Sequence, residues 1–195
     1  MRNHFLHLRR FSAGKDTRHS QQGFSLIEVS IVTAIVLLIA VIGIPAIGSY
    51  VLENKVPKVG QELARFMMQT RINASTAGDP PYSQISNANL VSMVADSSVL
   101  TRASDGAVLH GLGTGAIEVE PDEAGAGFLL RLQAVNHVAC PSIASVLQRV
   151  ADRITVSNQG GAAITVKDAT TPYSALTAES HCSRGDTNQF VFYAR

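Results

Sequence analysis

The chain has 195 residues, only 16% of them charged and 6% aromatic, and a formal net charge of +1. That length gives room for one anchor helix and one exported domain. The basic surplus lies entirely in residues 1–23; from residue 24 onward 11 Lys and Arg face 14 Asp and Glu, which argues against nucleic acid as a main partner.

Residues 1–23 carry Arg2, Arg9, Arg10, Lys15 and Arg18 against Asp16, a local net of +4. The positive-inside rule keeps such a stretch in the cytoplasm and sends the chain beyond Leu52 outward. Val29 to Leu52 then runs for 24 residues without a charge. At about 1.5 Å per residue that is about 36 Å of helix, enough for a bilayer core of about 30 Å. Glu28 stands at the lip of this run. A carboxylate in or near hydrocarbon costs about 2.5–3.5 kcal/mol, so it needs a partner or a role, and the run itself supplies no cation. An ordinary secretory signal places its small-residue cut after the apolar region. Here the small residue, Gly23, precedes it. A cut after Gly23 would leave the apolar helix on the mature chain and create an α-amino group on Phe24, with a reference pKa of about 7.7–8.0. On a neighbouring copy that amine is a counter-ion for Glu28.

Gly-Phe-Ser-Leu-Ile-Glu-Val-Ser-Ile-Val-Thr-Ala-Ile-Val, from Gly23 to Val36, resembles the prepilin leader junction of type IV pilins and pseudopilins. Residues 24–50, with Ile44-Pro45-Ala46 and Tyr50, are similar to the pilin N-terminal helix. The resemblance implies cleavage after Gly23 by a membrane prepilin peptidase and N-methylation of Phe24. It also implies pairing of Glu28 with the Phe24 terminus of a neighbour during assembly. The expected organisation is a cytoplasmic leader over 1–23, a hydrophobic transmembrane and assembly helix over 24–52, and an exported globular domain over 53–195.

Beyond Leu52, Val56, Val59, Leu63, Phe66 and Met67 keep a spacing of three and four, predicting one apolar helical stripe that lies on a sheet. Pro45 and Pro57 each remove an N–H donor and favour a kink in this helix. Gly78-Asp79-Pro80-Pro81 ends it. A short helix follows, capped by Ser86 or Asn87, with Leu90, Val91 and Val94 on one face. Residues 102–127 read as loops with short strands at 107–109 and 116–119, and Glu118, Glu120, Asp122 and Glu123 as a solvated acidic turn rather than a calcium loop. Strands are expected at 128–135, 153–157, 163–167 and 188–195. Asn158-Gln159-Gly160-Gly161 marks a hairpin and Pro141 the start of a short helix. Residues 171–183 read mostly as loop.

The two cysteines, Cys140 and Cys182, both fall in the exported part, where two thiols are most simply a disulfide. His137 and His181 beside them do not make a zinc site, because oxidised cysteines offer no thiolate. Gly111-Leu112-Gly113-Thr114-Gly115 lacks the lysine and the strand-to-helix setting of a phosphate loop. No cofactor, metal or activated nucleophile is expected.

The fold class expected is α+β: a long N-terminal helix packed on an antiparallel sheet, with a C-terminal disulfide. The order strand, Ala-Cys-Pro, helix, hairpin, Cys-bearing loop and aromatic final strand resembles the globular domain of type IVb pilins, with the region 140–182 bounded by the disulfide. The long leader is also type IVb-like, whereas Phe24 and Ile44-Pro45-Ala46 are closer to type IVa. The resemblance implies a structural, non-enzymatic subunit, held in the bacterial inner membrane as a precursor. Assembly machinery would then build it into an extracellular helical homo-oligomer for adhesion, motility or conjugation. The rival readings are a type II secretion pseudopilin and a minor pilin at a pilus tip.

Overall fold

The computed structural model describes residues 23–195 apart from residues 96, 159 and 160. The basic leader, residues 1–22, thus lies outside the described residues, as does the centre of the expected hairpin turn. The chain divides into two units, one ending at Ile42 and the other spanning Gly43–Arg195. Helix α1, Leu26–Ala74, contributes to both. It ends four residues before Gly78, in turns closed by bonds such as Ser75 N–H to Ile72 O and Ala77 N–H to Ala74 O. Both Pro45 and Pro57 lie within its bounds.

In the second unit the stripe read from the sequence is the buried face of α1. Val56, Val59, Leu63, Phe66 and Met67 are all buried in a core shared with the sheet. Helix α2, Asn87–Val94, starts at Ser86, whose backbone N–H donates to Asn89 Oδ1 at 2.9 Å. It buries Leu90 and Val94.

The sheet is antiparallel, with seven strands: β1 Thr101–Arg102, β2 Val108–Leu109, β3 Ala116–Asp122, β4 Gly127–Asn136, β5 Arg153–Asn158, β6 Ile164–Lys167 and β7 Asp186–Ala194. Their spatial order is β1-β2-β3-β4-β7-β5-β6, so the last strand in sequence lies inside the sheet. Period-two alternation turns Phe128, Leu130 and Leu132 of β4 and Phe190 and Phe192 of β7 onto the core face. The register pairs Leu130 with Phe192 and Leu132 with Phe190. On the flanks Ile154 and Val156 join them from β5 and Ile117 and Val119 from β3.

Three expectations are corrected. The sheet has seven strands: the short ones expected at 107–109 and 116–119 extend the ladder of the other four, and β1, which was not expected, adds a further edge. The acidic cluster is not a solvated turn: Glu118 and Glu120 belong to β3 and reach Arg131 of β4 at 3.4 and 3.6 Å. Asp122 ends the strand facing Arg153 at 3.7 Å, and Glu123 meets Arg195 at 2.5 Å. The loop read at 171–183 contains a helix, α4 (Ala175–Ser180), capped by Ser174 Oγ accepting from Thr177 N–H at 3.3 Å.

Helix α3, Cys140–Leu147, has Pro141 in its first turn and buries Ile143, Ala144 and Leu147. It lies so close to α1 that a Cβ at Gly60 would stand 2.6 Å from Val146 Cγ1. The glycine run 111–115 serves the same purpose against β4. A Cβ at Gly113 would collide with the Ala134 carbonyl oxygen, and one at Gly115 with that of Gln133. Ala134, at φ 45°, sits where the β4–β7 register shifts.

Candidate functional site

Gly23, Phe24 and Ser25 precede α1 without regular structure, and Glu28 lies in its first turn. The first helical bond runs from Val29 N–H to Ser25 O at 3.1 Å. Ser25 and Glu28 thus occupy the cap and third positions of a Ser-x-x-Glu start, a local reason for helix to begin here. A carboxylate in the first turn also lies at the positive end of the helix dipole. Among the described residues no salt bridge involves Glu28.

What distinguishes this segment is apolar surface without cover. Phe24 is 80% exposed and Leu26 91%, and large apolar side chains remain exposed through Tyr50 and Val51. Two polar side chains within the run are satisfied locally. Ser30 Oγ donates to Ile27 O and Thr33 Oγ1 to Val29 O, both at 2.8 Å. The helix is long and apolar enough to cross a membrane, and its most apolar stretch is unburied among the described residues. A continuous apolar surface of this kind requires lipid or neighbouring helices around it.

The disulfide-bounded region forms the other candidate. Cys140 and Cys182 are bonded, with Cα atoms 6.1 Å apart, and no free cysteine is present among the described residues. The bond ties α3 to the end of α4. Tyr173 supports it by donating its hydroxyl to Pro141 O at 2.9 Å. Burial pushes this phenol above its ordinary value, so it stays a donor. Lys167 Nζ donates to Ala151 O at 2.6 Å and to Gln148 O, occupying carbonyls just past the end of α3. Asn188, fully buried on β7, accepts from Ser183 N–H at 2.7 Å and donates to Ser183 O at 2.8 Å and Val135 O at 3.0 Å. It fastens the loop after Cys182 to the centre of the sheet. The sequence placed this asparagine at the start of the last strand, but no local pattern announced its bonds to Ser183 and Val135.

Residues 18–44 match the prokaryotic N-terminal methylation motif, which defines the class of the N-terminal segment. Residues 57–195 match the family described as PilS N terminal, and the chain belongs to this family of type IV pilins. Among solved structures it is similar to a type IVb pilin from Salmonella typhi, at 21% identity and a TM-score of 0.49, covering 71% of this chain and 96% of that one. It is also similar to TcpA, a type IV pilin from the El Tor biotype of Vibrio cholerae, at 16% identity and a TM-score of 0.47, covering 73% and 99%. No curated protein matches the chain significantly.

Proposed function

We propose that this chain is the structural subunit of a type IVb-like pilus, made as an inner-membrane precursor and polymerised through α1 into an extracellular filament. The observation that carries the reading is the bare apolar surface from Phe24 to Val51, with Glu28 as its one carboxylate. Lipid covers that surface in the precursor and the α1 helices of neighbouring copies cover it in the fibre. Cleavage after Gly23 by a prepilin peptidase frees the Phe24 amine, which is then methylated and stays cationic. Its attraction to a neighbour's Glu28 offsets the cost of a carboxylate in an apolar core and fixes the axial register of adjacent helices. The disulfide-closed domain faces outward, and the protein performs no catalysis.

The test is sheared surface filaments analysed by N-terminal mass spectrometry, beside a Glu28→Leu variant. Wild-type filaments should begin at Phe24 with one methyl group added. The variant should be cleaved normally yet absent from filaments. Full-length wild-type protein with no associated copies would overturn the reading, and normal filaments from Glu28→Leu would remove the charge-pair mechanism.

A further inference from the structure

His110 follows β2 and is fully buried. Leu112 N–H donates to its Nδ1 at 2.9 Å, so the ring proton sits on Nε2, which donates to Gln133 O at 2.8 Å. Both nitrogens are therefore committed in the neutral form, one as acceptor and one as donor. The ring stitches a particular edge. β3 pairs with β4 as far as Ile117 opposite Leu132, and beyond that point the glycine run takes over as the neighbour of β4. It does so through Asn136 N–H donating to Leu112 O at 2.8 Å and through the Gly113–Val135 bridge. The close approach at Gly113 and Gly115 leaves no slack in this seam.

We propose that His110 is an acid-sensitive latch, whose protonation releases the Gly111–Gly115 run from the end of β4. A proton on Nδ1 would set an N–H against the Leu112 N–H, replacing an accepted hydrogen bond by repulsion inside a buried seam. Burial already holds the ring below its ordinary value of 6.5, opposed by its bond to Gln133 and by the charge of Asp186. Of the charged groups around it, Asp186 at the start of β7 favours the cation. Lys55 of α1 is the cation nearby, its Nζ lying 4.0 Å from where a Cβ of Gly111 would stand. Arg131, the charge on β4, is engaged by Glu118 and Glu120 on β3. A ring less basic when closed than when open keeps the latch fully shut above about pH 6.5 and weakens it as pH falls toward the closed-state value. Over that window the opening constant rises about tenfold per pH unit.

The test is amide hydrogen exchange by NMR on the full chain in detergent micelles, corrected for intrinsic rates. Protection at Leu112 and Asn136 should fall further between about pH 7.5 and pH 5.5 in the wild type than in His110→Gln, by up to about tenfold, while Val191 and Phe192 stay level in both. The exposed His137 is common to both proteins and cancels. An equal change in the two proteins, or none in the wild type, would overturn the proposal. Should His110→Gln fail to fold, the wild-type ring resonances decide. A His110 titration midpoint matching the loss of protection supports the latch, and a ring that titrates while both amides stay protected refutes it.

Discussion

Arg71, near the end of α1, and Asp152, just ahead of β5, are 81 residues apart in sequence and meet at 2.7 Å. The same carboxylate oxygen accepts the backbone N–H of Arg195 at 2.9 Å, and Asp152 N–H donates to Tyr193 O at 2.8 Å. One half-exposed side chain thus joins the long helix, the start of β5 and the end of β7.

Asp152→Ala should lower the stability of the disulfide-intact protein by about 1 kcal/mol, a modest figure because the pair is partly solvated. Arg71→Gln should cost less, since Arg195 keeps its acceptor. Urea midpoints of the two variants check the order; equal losses would mean that the Arg195 bond contributes nothing.

The Cys140–Cys182 bond closes a loop spanning a sequence separation of 42. Chain-entropy arithmetic gives about 4 kcal/mol for such a loop, a large share of the total for a domain of this size. Cys140→Ser with Cys182→Ser should therefore melt far below the wild type, and reducing agent should shift only the wild type. A wild type indifferent to reduction would show that α3 and α4 hold together by packing alone.

Gly60 sets two effects against each other. Alanine in a helix interior is favoured over glycine by about 1 kcal/mol, but overpacking costs about 1–3 kcal/mol. Val146 Cβ, which cannot swing away, would stand 2.9 Å from the new methyl group. Gly60→Ala should therefore destabilise the protein. In a Val146→Ala background the same change should cost less, because Cγ1 is gone while the contact with Cβ remains, and thermal melting of the double-mutant set reads the difference.

Where an element shows a clean apolar period, the sequence was enough. Val56, Val59, Leu63, Phe66 and Met67 mark the buried face of α1, and Phe128, Leu130 and Leu132 the core face of β4. α4 had no such signal, because it buries only Ala178 and leaves Leu176 79% exposed. β3 runs beyond the expected 116–119 to Asp122, through Pro121, which lacks a donor. The strand tolerates it because its outer side is paired with β2 only at Ala116 and Ile117. Farther along that edge, the Val119 N–H finds Asn87 Oδ1 of α2 at 2.6 Å, a partner 32 residues away that no local pattern announces.

The sequence by itself determined the uncharged run after Glu28 and the N-terminal motif in which Gly23, Phe24 and Glu28 stand. Hydrophobic length and an isolated charge are properties of consecutive residues and need no fold to be recognised. Only the tertiary structure decided that the last strand lies inside the sheet and that the acidic cluster faces arginines. It alone placed His110 and the glycine run over the bulge of β4. Those facts depend on which distant segments share an edge or a face, and strand alternation tells a residue which side to turn to, not which neighbour it will meet.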